Sequence, residues 1–320
     1  MTILIAGGAG FIGSHLVDYY LNLNKKVIAV DNLSTGKLDN VSSHLDNPLF
    51  KFYEADLLNW PELTDVLDDC ELVYNVAAMV GMFNVLERPI ATLNVNILVT
   101  EILLAAISKL KKMPPVIIAS SSEVYGSKPE AMKETDSLVI ETTAKAHANY
   151  PISKLCNEVA GLAYYKEKKV PAIVVRIFNT VGPRQSARYG MVMPRFIKQA
   201  LDNQPITIFS DGQQTRAFCD VRDLCNIFHA LTQTDKSVGE IINVGSDKSI
   251  SVLQLAERVK NITHSNSSLV FQNHEEAYGK EYINIQHRRP NLEKLNSIID
   301  YSYQWNLDDT IHSIIQYLTD

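Results

Sequence analysis

The stretch that decides the fold is GGAGFIG, at residues 7–13. It follows the apolar run Thr2–Ala6 and precedes a helical pattern over Ser14–Leu23. Glycines at positions 7, 10 and 13 let the turn tighten, let the backbone approach a pyrophosphate, and let helix and strand pack closely. The N-terminus of the following helix supplies free N–H groups and a positive dipole end. Because a strand pattern precedes the glycines and a helix pattern follows them, the stretch predicts a dinucleotide-binding loop.

The first half of the chain repeats this alternation of strand and helix. Further β-branched apolar runs are predicted strands: Lys26–Val30, Phe50–Glu54, Leu72–Val76, Val116–Ser120 and Ala172–Ile177. Such nearly continuous apolar runs are typical of strands that are covered on both faces of a parallel sheet. Helix-length segments separate them: Trp60–Leu67, Ile90–Leu110 and Pro151–Lys169. The pattern predicts an α/β fold with a Rossmann-like, doubly wound parallel sheet.

The pattern changes at about residue 177, where prolines and glycines cluster and short strands mix with helices. We therefore expect a dinucleotide-binding domain over residues 1–176. A smaller mixed α/β lobe over residues 177–320 would bind the substrate, and a segment at about 221–244 would cross back to the first domain.

Composition excludes several classes of protein. The 320 residues carry 30 Lys and Arg against 36 Asp and Glu, and 46% are hydrophobic, so neither a disordered chain nor a nucleic-acid-binding protein is indicated. The four cysteines lack metal-ligand spacing, and we expect no metal site. A leader and a membrane-length apolar stretch are not apparent, so we expect a cytoplasmic protein without a membrane partner.

Carboxylates and small residues follow the predicted strands. Asp31 ends the second strand, where a carboxylate accepts both hydroxyls of an adenine ribose and repels a 2′-phosphate, which favours NAD over NADP. Asp56 and Leu57 end the third strand, and Ala77 and Ala78 end the fourth. Both pairs lie at the sheet edge that binds ligands in such folds, although ordinary loop residues would fit equally well.

The chemistry is suggested by Tyr150 and Lys154, which begin a helical segment and share a face at i, i+4 spacing. An ammonium beside a phenol would lower the pKa of Tyr150 from ~10 and make it a general base for a hydroxyl proton. Ser122, in the SSSE stretch at residues 120–123 after the fifth strand, would bond the same substrate oxygen. A serine loop that caps its own backbone is the alternative.

These motifs occur with DNLSTG at 31–36, RIFNTVGPRQ at 176–185, TRAF at 215–218 and QHRRP at 286–290. In this order, over nearly the whole chain, they resemble an extended short-chain dehydrogenase/reductase of the NAD-dependent nucleotide-sugar epimerase/dehydratase group. The sequence differs from the family pattern at two positions. Val99 replaces the glycine of an N-x-x-G-T segment, and Asn75 stands where relatives often have histidine.

The resemblance implies roles for individual residues. It makes Ser122, Tyr150 and Lys154 catalytic, with Glu123 beside them. Its NAD-binding positions are Gly7, Gly10, Phe11, Ile12, Gly13, Asp31, Asn32, Ser34, Thr35, Gly36, Asp56, Leu57, Ala77, Ala78, Asn96, Ser120, Tyr150 and Lys154. Its substrate positions are Ser122, Glu123, Tyr150, Asn179, Phe209, Arg216 and Arg288.

Among the substrate positions, Asn179 would touch the phosphates, and Arg216 and Arg288 would grip the diphosphate. Phe209 would stack on the base, although a plain core aromatic is an equal alternative. The segment Met79–Asn84 would line the sugar pocket.

The expected first step is oxidation of the sugar at C4, in which Tyr150 removes the hydroxyl proton and hydride moves to NAD. The net reaction stays open. Glu123 directly after the serine, together with QHRRP, resembles UDP-glucuronate decarboxylases and favours decarboxylation of a UDP-linked sugar. The stretch at 182–196 instead resembles 4-epimerases, and 4,6-dehydration or a non-catalytic NAD-binding regulator are further alternatives. The resemblance also implies a homodimer formed through helices at about 90–110 and 151–169.

Overall fold

A computed structural model describes residues 1–81, 85, 87–128, 130–140, 142–144, 146–186, 191–273 and 286–320. Its strands are β1 (Thr2–Ala6), β2 (Lys26–Asp31), β3 (Phe50–Glu54), β4 (Leu72–Asn75), β5 (Val116–Ser121), β6 (Ala172–Ile177), β7 (Thr180–Val181), β8 (Ile206–Phe209), β9 (Thr215–Ala217), β10 (Cys219–Asp220), β11 (Ile241–Val244), β12 (Ser249–Ser251), β13 (Leu269–Gln272) and β14 (His287–Arg288).

Its α-helices are α1 (Phe11–Asn22), α2 (Leu63–Asp68), α3 (Pro89–Leu93), α4 (Val99–Ile107), α5 (Asn149–Lys168), α6 (Val192–Leu201), α7 (Val221–Thr232), α8 (Val252–Ile262), α9 (Glu293–Ile298) and α10 (Leu307–Thr319). A π-helical turn, Asn94–Leu98, joins α3 to α4 and makes one continuous helix, Pro89–Ile107.

The central sheet has seven strands in the order β11-β6-β5-β4-β1-β2-β3, and all of its pairings are parallel. This order runs outward in both directions from the first strand, so the predicted Rossmann-like, doubly wound sheet is confirmed. Every residue of β4 and β5 is buried, because helices cover both faces of the sheet.

The central sheet separates two hydrophobic cores, and successive residues of a central strand pack alternately into one and the other. Ile3 and Ile5 of β1 pack with α1 and α7 on one face, whereas Leu4 and Ala6 pack with α2 and α4 on the other. This is the period-2 alternation of a strand that is buried on both sides. Residues 221–244 lie within this domain, since α7 packs on α1 and β11 pairs with β6.

A second core lies in the C-terminal part of the chain. Helices α6, α8 and α10 and strand β8 contribute its apolar residues, among them Phe196 of α6, Ile208 of β8 and Leu255 of α8. A small sheet in the order β12-β9-β14 lies beside this core. Strands β9 and β14 pair in parallel, which sets Arg216 directly opposite Arg288. This pairing positions two cations of the candidate site.

One helix in the described part of the chain, Pro89–Ile107, has the length and apolar composition of a membrane-spanning helix. The core helix of a soluble protein passes the same test, and 44% of its apolar window is buried here. The helix packs against α5.

Candidate active site

The loop after β1 is built as a cradle for an anion. Gly7 has φ +83°, and its N–H donates to the Val30 carbonyl at 2.8 Å. A Cβ on Gly13 would lie 2.0 Å from the Gly7 carbonyl oxygen, so only glycine fits that position. Helix α1 begins with Gly10 as its N-cap, without a capping side chain and without an acidic residue in the first turn. The positive end of the helix therefore faces the loop without a protein anion to neutralise it.

Asp31 is fixed at the rim of this loop. Its carboxylate accepts the N–H of Ala9 at 3.0 Å and that of Leu33 at 2.9 Å. Burial raises the pKa of Asp31, and these N–H donors oppose the rise. A Cβ on Gly36 would lie 2.9 Å from the same carboxylate, so the DNLSTG turn folds tightly around it.

A narrow cavity runs along the edge of the sheet beside Asp31. Predicted NAD-binding residues line it: Gly7, Gly10, Asp31, Asn32, Ser34, Thr35, Asp56, Leu57, Ala77 and Ala78. None of the described residues that line it is Lys or Arg, so a 2′-phosphate would meet Asp31 without a compensating cation. The glycine cradle, the uncapped helix end and the ribose carboxylate fit NAD.

A larger cavity of about 450 Å³ adjoins it and is lined by both parts of the chain. It brings together the predicted residues Phe11, Ile12, Ala78, Ser120, Ser122, Glu123, Tyr150, Lys154, Asn179, Phe209, Arg216 and Arg288. Residues far apart in sequence therefore form one pocket at the carboxyl ends of β4, β5 and β6, where such sheets bind ligands.

Ser121 and the predicted Ser122 both line this cavity, and Ser121 is the serine that acts on the Tyr150 phenol. A hydrogen-bonding interaction with the Ser121 hydroxyl lowers the pKa of the Tyr150 phenol. Ser121 ends β5, whereas Ser122 opens a 3-10 turn and is only 2% exposed. Ser120 points elsewhere and donates to the Glu158 carboxylate at 2.5 Å. Three successive serines look alike in sequence, and only the end of the strand decides which one faces the tyrosine.

The expected lowering of the Tyr150 pKa by Lys154 is corrected by the structure. Burial raises the pKa of Tyr150, and the negative charge of Glu123 adds to the rise. The Lys154 ammonium lies 5.8 Å from the centre of the phenol ring and donates to the Ala119 carbonyl at 2.9 Å. Burial lowers the pKa of Lys154 to about 8. Desolvation is therefore the largest influence on the pKa of Tyr150 in the protein alone.

Two further charges face Tyr150. Arg288 approaches Glu123 at 3.5 Å, and its positive charge lowers the pKa of Tyr150. The Arg288 side chain is 14% exposed, and its Nε is buried without a hydrogen-bond partner among the described residues. The guanidinium expected at the diphosphate thus lies at the tyrosine end of the cavity. Arg216, opposite Arg288 on β9, lines the same cavity.

Phe209 and Asn179 also line the large cavity. The Asn179 amide donates to the Ala217 carbonyl at 3.3 Å. The guanidinium of Arg195 lies 4.4 Å from the centre of the Phe209 ring. Arg195 also lines the cavity, and sequence analysis missed it because no motif distinguishes it from a surface arginine of α6.

Asn96 does not line either cavity. It lies in the π-helical turn and exchanges hydrogen bonds with the backbone of Met79, at 2.7 Å and 3.2 Å. Its amide also donates to the Ser153 hydroxyl at 3.1 Å. Asn96 therefore ties the loop after β4 to helix α5. Asn75 is likewise internal and donates to Thr100 at 2.9 Å, and residues 82–84 of the predicted sugar-pocket segment lie outside the described residues.

The comparisons with known proteins agree with this geometry. The model of the NAD dependent epimerase/dehydratase family matches residues 3–245. The chain belongs to this family. It is an NAD-dependent enzyme that acts on nucleotide sugars, as the motifs imply.

Individual relatives cover nearly the whole chain. UDP-N-acetyl-alpha-D-glucosaminuronate decarboxylase of Bacillus cytotoxicus is 33% identical over 313 residues, which is 96% of each chain. UDP-glucuronic acid decarboxylase 1 of Xenopus tropicalis is 30% identical over 98% of this chain and 71% of its own length. UDP-glucuronic acid 4-epimerase from Bacillus cereus, solved with UDP-glucuronic acid and NAD, has a TM-score of 0.89 and 30% identity, and covers 100% of this chain and 99% of its own.

Variants of the two serines test which hydroxyl assists Tyr150. We expect Ser121→Ala to slow the first reduction of bound NAD by a nucleotide sugar by about tenfold to a hundredfold, because it removes a hydrogen bond at the reacting oxygen. Ser122→Ala, the matched control, should stay within about twofold of wild type, since its hydroxyl is not the one facing Tyr150. Stopped-flow absorbance of the reduced nicotinamide measures both, and a larger loss for Ser122→Ala would reverse the assignment.

The charges around Tyr150 predict opposite shifts in pH dependence. Tyr150 must lose its proton to act as a base, so the oxidation rate should rise as the pH passes through its pKa. Glu123→Gln removes a charge that raises this pKa, and the rise should move to lower pH by on the order of one unit. Arg288→Gln removes a charge that lowers the pKa, and the rise should move to higher pH.

The first-turnover rate of NAD reduction, measured against pH, checks both shifts. The double variant should lie closer to wild type than either single variant, because the two charges are removed together. Shifts of the same sign in the two single variants would show that the charges do not act on Tyr150.

Proposed function

We propose that the protein decarboxylates a UDP-hexuronate after oxidising the sugar at C4. The observation that carries this proposal is the carboxylate of Glu123, held against Arg288 at 3.5 Å on the same cavity wall as Tyr150. Simple epimerisation at C4 needs no second proton-handling group beside the tyrosine. The names of the decarboxylases from Bacillus cytotoxicus and Xenopus tropicalis support the same reaction.

The first step uses the groups around the phenol. Tyr150 takes the proton of the C4 hydroxyl, and Ser121 holds the same oxygen by a hydrogen bond. Lys154, anchored to the Ala119 carbonyl, keeps a positive charge below the phenol ring. NAD, when bound, would supply the redox chemistry by accepting a hydride from C4 and returning it at the end of the cycle.

The second step breaks the C5–C6 bond. A C4 ketone makes the hexuronate a β-keto acid, so CO2 can leave while the bonding electron pair passes to C5 and onto the C4 oxygen. Tyr150, now protonated, donates to that oxygen and stabilises its developing charge. Glu123 lines the cavity with Tyr150 and would relay a proton from water to C5, while Arg288 pairs with its carboxylate at 3.5 Å. C5 gains this proton in place of CO2 and gives a 4-keto pentose. The UDP-pentose would form when the hydride returns to C4 and Tyr150 gives its proton back to the C4 oxygen.

The part of the large cavity away from Tyr150 has side chains suited to binding a nucleoside diphosphate. Arg216 lies opposite Arg288 on the neighbouring strand, and guanidinium forks suit phosphate oxygens. Phe209 lines the cavity, and we propose that its ring stacks on the nucleotide base. The guanidinium of Arg195 lies over the same ring. The distribution of charge in the cavity thus fits a ligand with the sugar at Tyr150 and the nucleotide towards Phe209. We also propose that the enzyme works in the cytoplasm, because its four cysteines are unpaired, as is usual in a reducing compartment.

A UDP-sugar 4-epimerase is the second candidate. It is favoured by the similarity to the Bacillus cereus 4-epimerase over 100% of this chain. Both reactions begin with the oxidation of C4. They differ in the next step, in which the keto sugar either loses CO2 or rotates in the pocket so that hydride returns to its other face. The product therefore decides between them.

The test is proton NMR of the products from UDP-glucuronate and UDP-N-acetylglucosaminuronate. We expect a UDP-pentose and one equivalent of CO2 from at least one of them, and no pentose from Tyr150→Phe. Glu123→Gln should cut pentose formation by on the order of a hundredfold while C4 oxidation continues. Glu257→Gln, an exposed glutamate on α8, is the matched control and should keep wild-type turnover. A galacturonate-configured product with no CO2 would replace the proposal by epimerisation.

We also propose that the enzyme is a homodimer, formed through the helix Pro89–Ile107 and α5. These two helices pack together, yet their outer faces carry apolar side chains in water. Ile90 is 75% exposed, Val159 is 67% exposed and Leu98 is 45% exposed. Large apolar side chains exposed on two packed helices are typical of a subunit interface.

If these helices form the dimer interface, charged substitutions on their exposed face should lower the mass of the particle in solution. Ile90→Glu combined with Val159→Glu should convert the dimer to a monomer in sedimentation velocity at micromolar concentration, because burial of two carboxylates is unfavourable. Phe271→Glu, on strand β13 and 53% exposed in the wild type, is the matched control and should leave the mass unchanged. A monomeric wild type would disprove the interface.

A further inference from the structure

One face of the catalytic helix extends beyond the Tyr150–Lys154 pair. A 3-10 turn, Ala146–Ala148, runs directly into α5. His147, Tyr150 and Lys154 therefore follow one another at i, i+3 and i+7, which places them on one helical face. All three line the large cavity. His147 stands one turn before Tyr150, on the side opposite to Lys154.

The Nδ1 atom of His147 is buried and has no hydrogen-bond partner among the described residues. Leaving a buried polar atom unsatisfied is unfavourable, and such atoms in native proteins usually await water or a ligand. Two charged groups near Tyr150 already have partners, although the Nε of Arg288 is also buried without one among the described residues. Lys154 donates to the Ala119 carbonyl, and Arg288 pairs with Glu123. His147 therefore brings an uncommitted polar atom to the cavity.

The proposed substrate supplies a matching group. The carboxylate of a hexuronate is attached to C5, next to the C4 that Tyr150 attacks, so it lies a few ångströms from the phenol. One helical turn, about 5.4 Å, is the same scale of separation. Glu123 already places one negative charge beside Tyr150, so a second carboxylate must find a donor away from it. An imidazole N–H is such a donor.

We infer that His147 binds the carboxylate of the sugar through Nδ1–H and thereby sets the preference for a uronate over a neutral hexose. This inference rests on the proposed function, because it assigns a residue to the carboxylate that the reaction removes. His147 positions the leaving carboxylate and transfers no proton. It makes the site selective for substrates that can be decarboxylated.

The test measures binding rather than turnover. Isothermal titration of the NAD-bound Tyr150→Phe enzyme gives the Kd of UDP-glucuronate, UDP-glucose and UDP without consuming the sugars. Adding His147→Ala should weaken UDP-glucuronate binding by about tenfold or more, the size of a hydrogen bond to a charged group. Binding of UDP-glucose and UDP should stay within about twofold.

Two further variants separate contact from structure. His147→Asn keeps an N–H donor near the position of Nδ1, and it should restore most of the affinity for UDP-glucuronate. His312→Ala, an exposed histidine of α10, is the matched control and should change nothing. An equal loss for UDP would reveal a structural effect, and an equal loss for UDP-glucose would move the contact away from the carboxylate. An unchanged Kd for UDP-glucuronate would remove His147 from the site, and each of these three results overturns the inference.

Failure of the inference and failure of the proposed function are distinguishable. Product analysis of the wild-type enzyme tests decarboxylation and does not depend on His147. A selective loss of uronate affinity in His147→Ala, in an enzyme that only epimerises, would keep the carboxylate contact and discard the decarboxylation. If the wild-type enzyme releases CO2 and its His147→Ala variant binds UDP-glucuronate normally, decarboxylation stands and the carboxylate contact is discarded.

Discussion

The site depends on one buried ion pair that fixes the catalytic helix to the sheet. Glu158 of α5 accepts two hydrogen bonds from Arg176 of β6, at 2.9 Å and 2.7 Å, and one from Ser120 of β5. The side chains of Arg176 and Glu158 are 2% and 4% exposed. Because both charges are out of water, loss of either partner would leave a buried charge uncompensated. This three-residue contact sets how α5 lies along the end of β5.

From that constraint follows the arrangement around Tyr150. Two turns before Glu158 on the same helix, the phenol comes to the end of β5 and meets Ser121. Burial opposes its ionisation, and the balance is then set by Glu123 on one side and Arg288 on the other. The second lobe thus contributes directly to the electrostatics of the base, since Arg288 belongs to β14.

Much of the chain is readable from sequence alone. The strand and helix order, the glycine loop, Asp31 and the Tyr150–Lys154 spacing all depend on contacts between near neighbours or on the 3.6- and 2-residue periods. Strands β1, β3 and β6 begin and end where the patterns predict, at Thr2–Ala6, Phe50–Glu54 and Ala172–Ile177. Boundaries shift by a few residues elsewhere, because caps and close packing, rather than periodicity, end an element.

The sequence by itself determined the fold, the dinucleotide loop and the types of residue that do the chemistry. Tertiary structure alone decided that Ser121, not Ser122, faces Tyr150, and that burial raises rather than lowers the pKa of that tyrosine. It also decided that Arg288 reaches Glu123 across 165 positions of sequence, and that His147 lines the cavity. The physical reason is that desolvation and charge act through space. They depend on which groups the fold excludes from water together, and no local pattern in the chain records that.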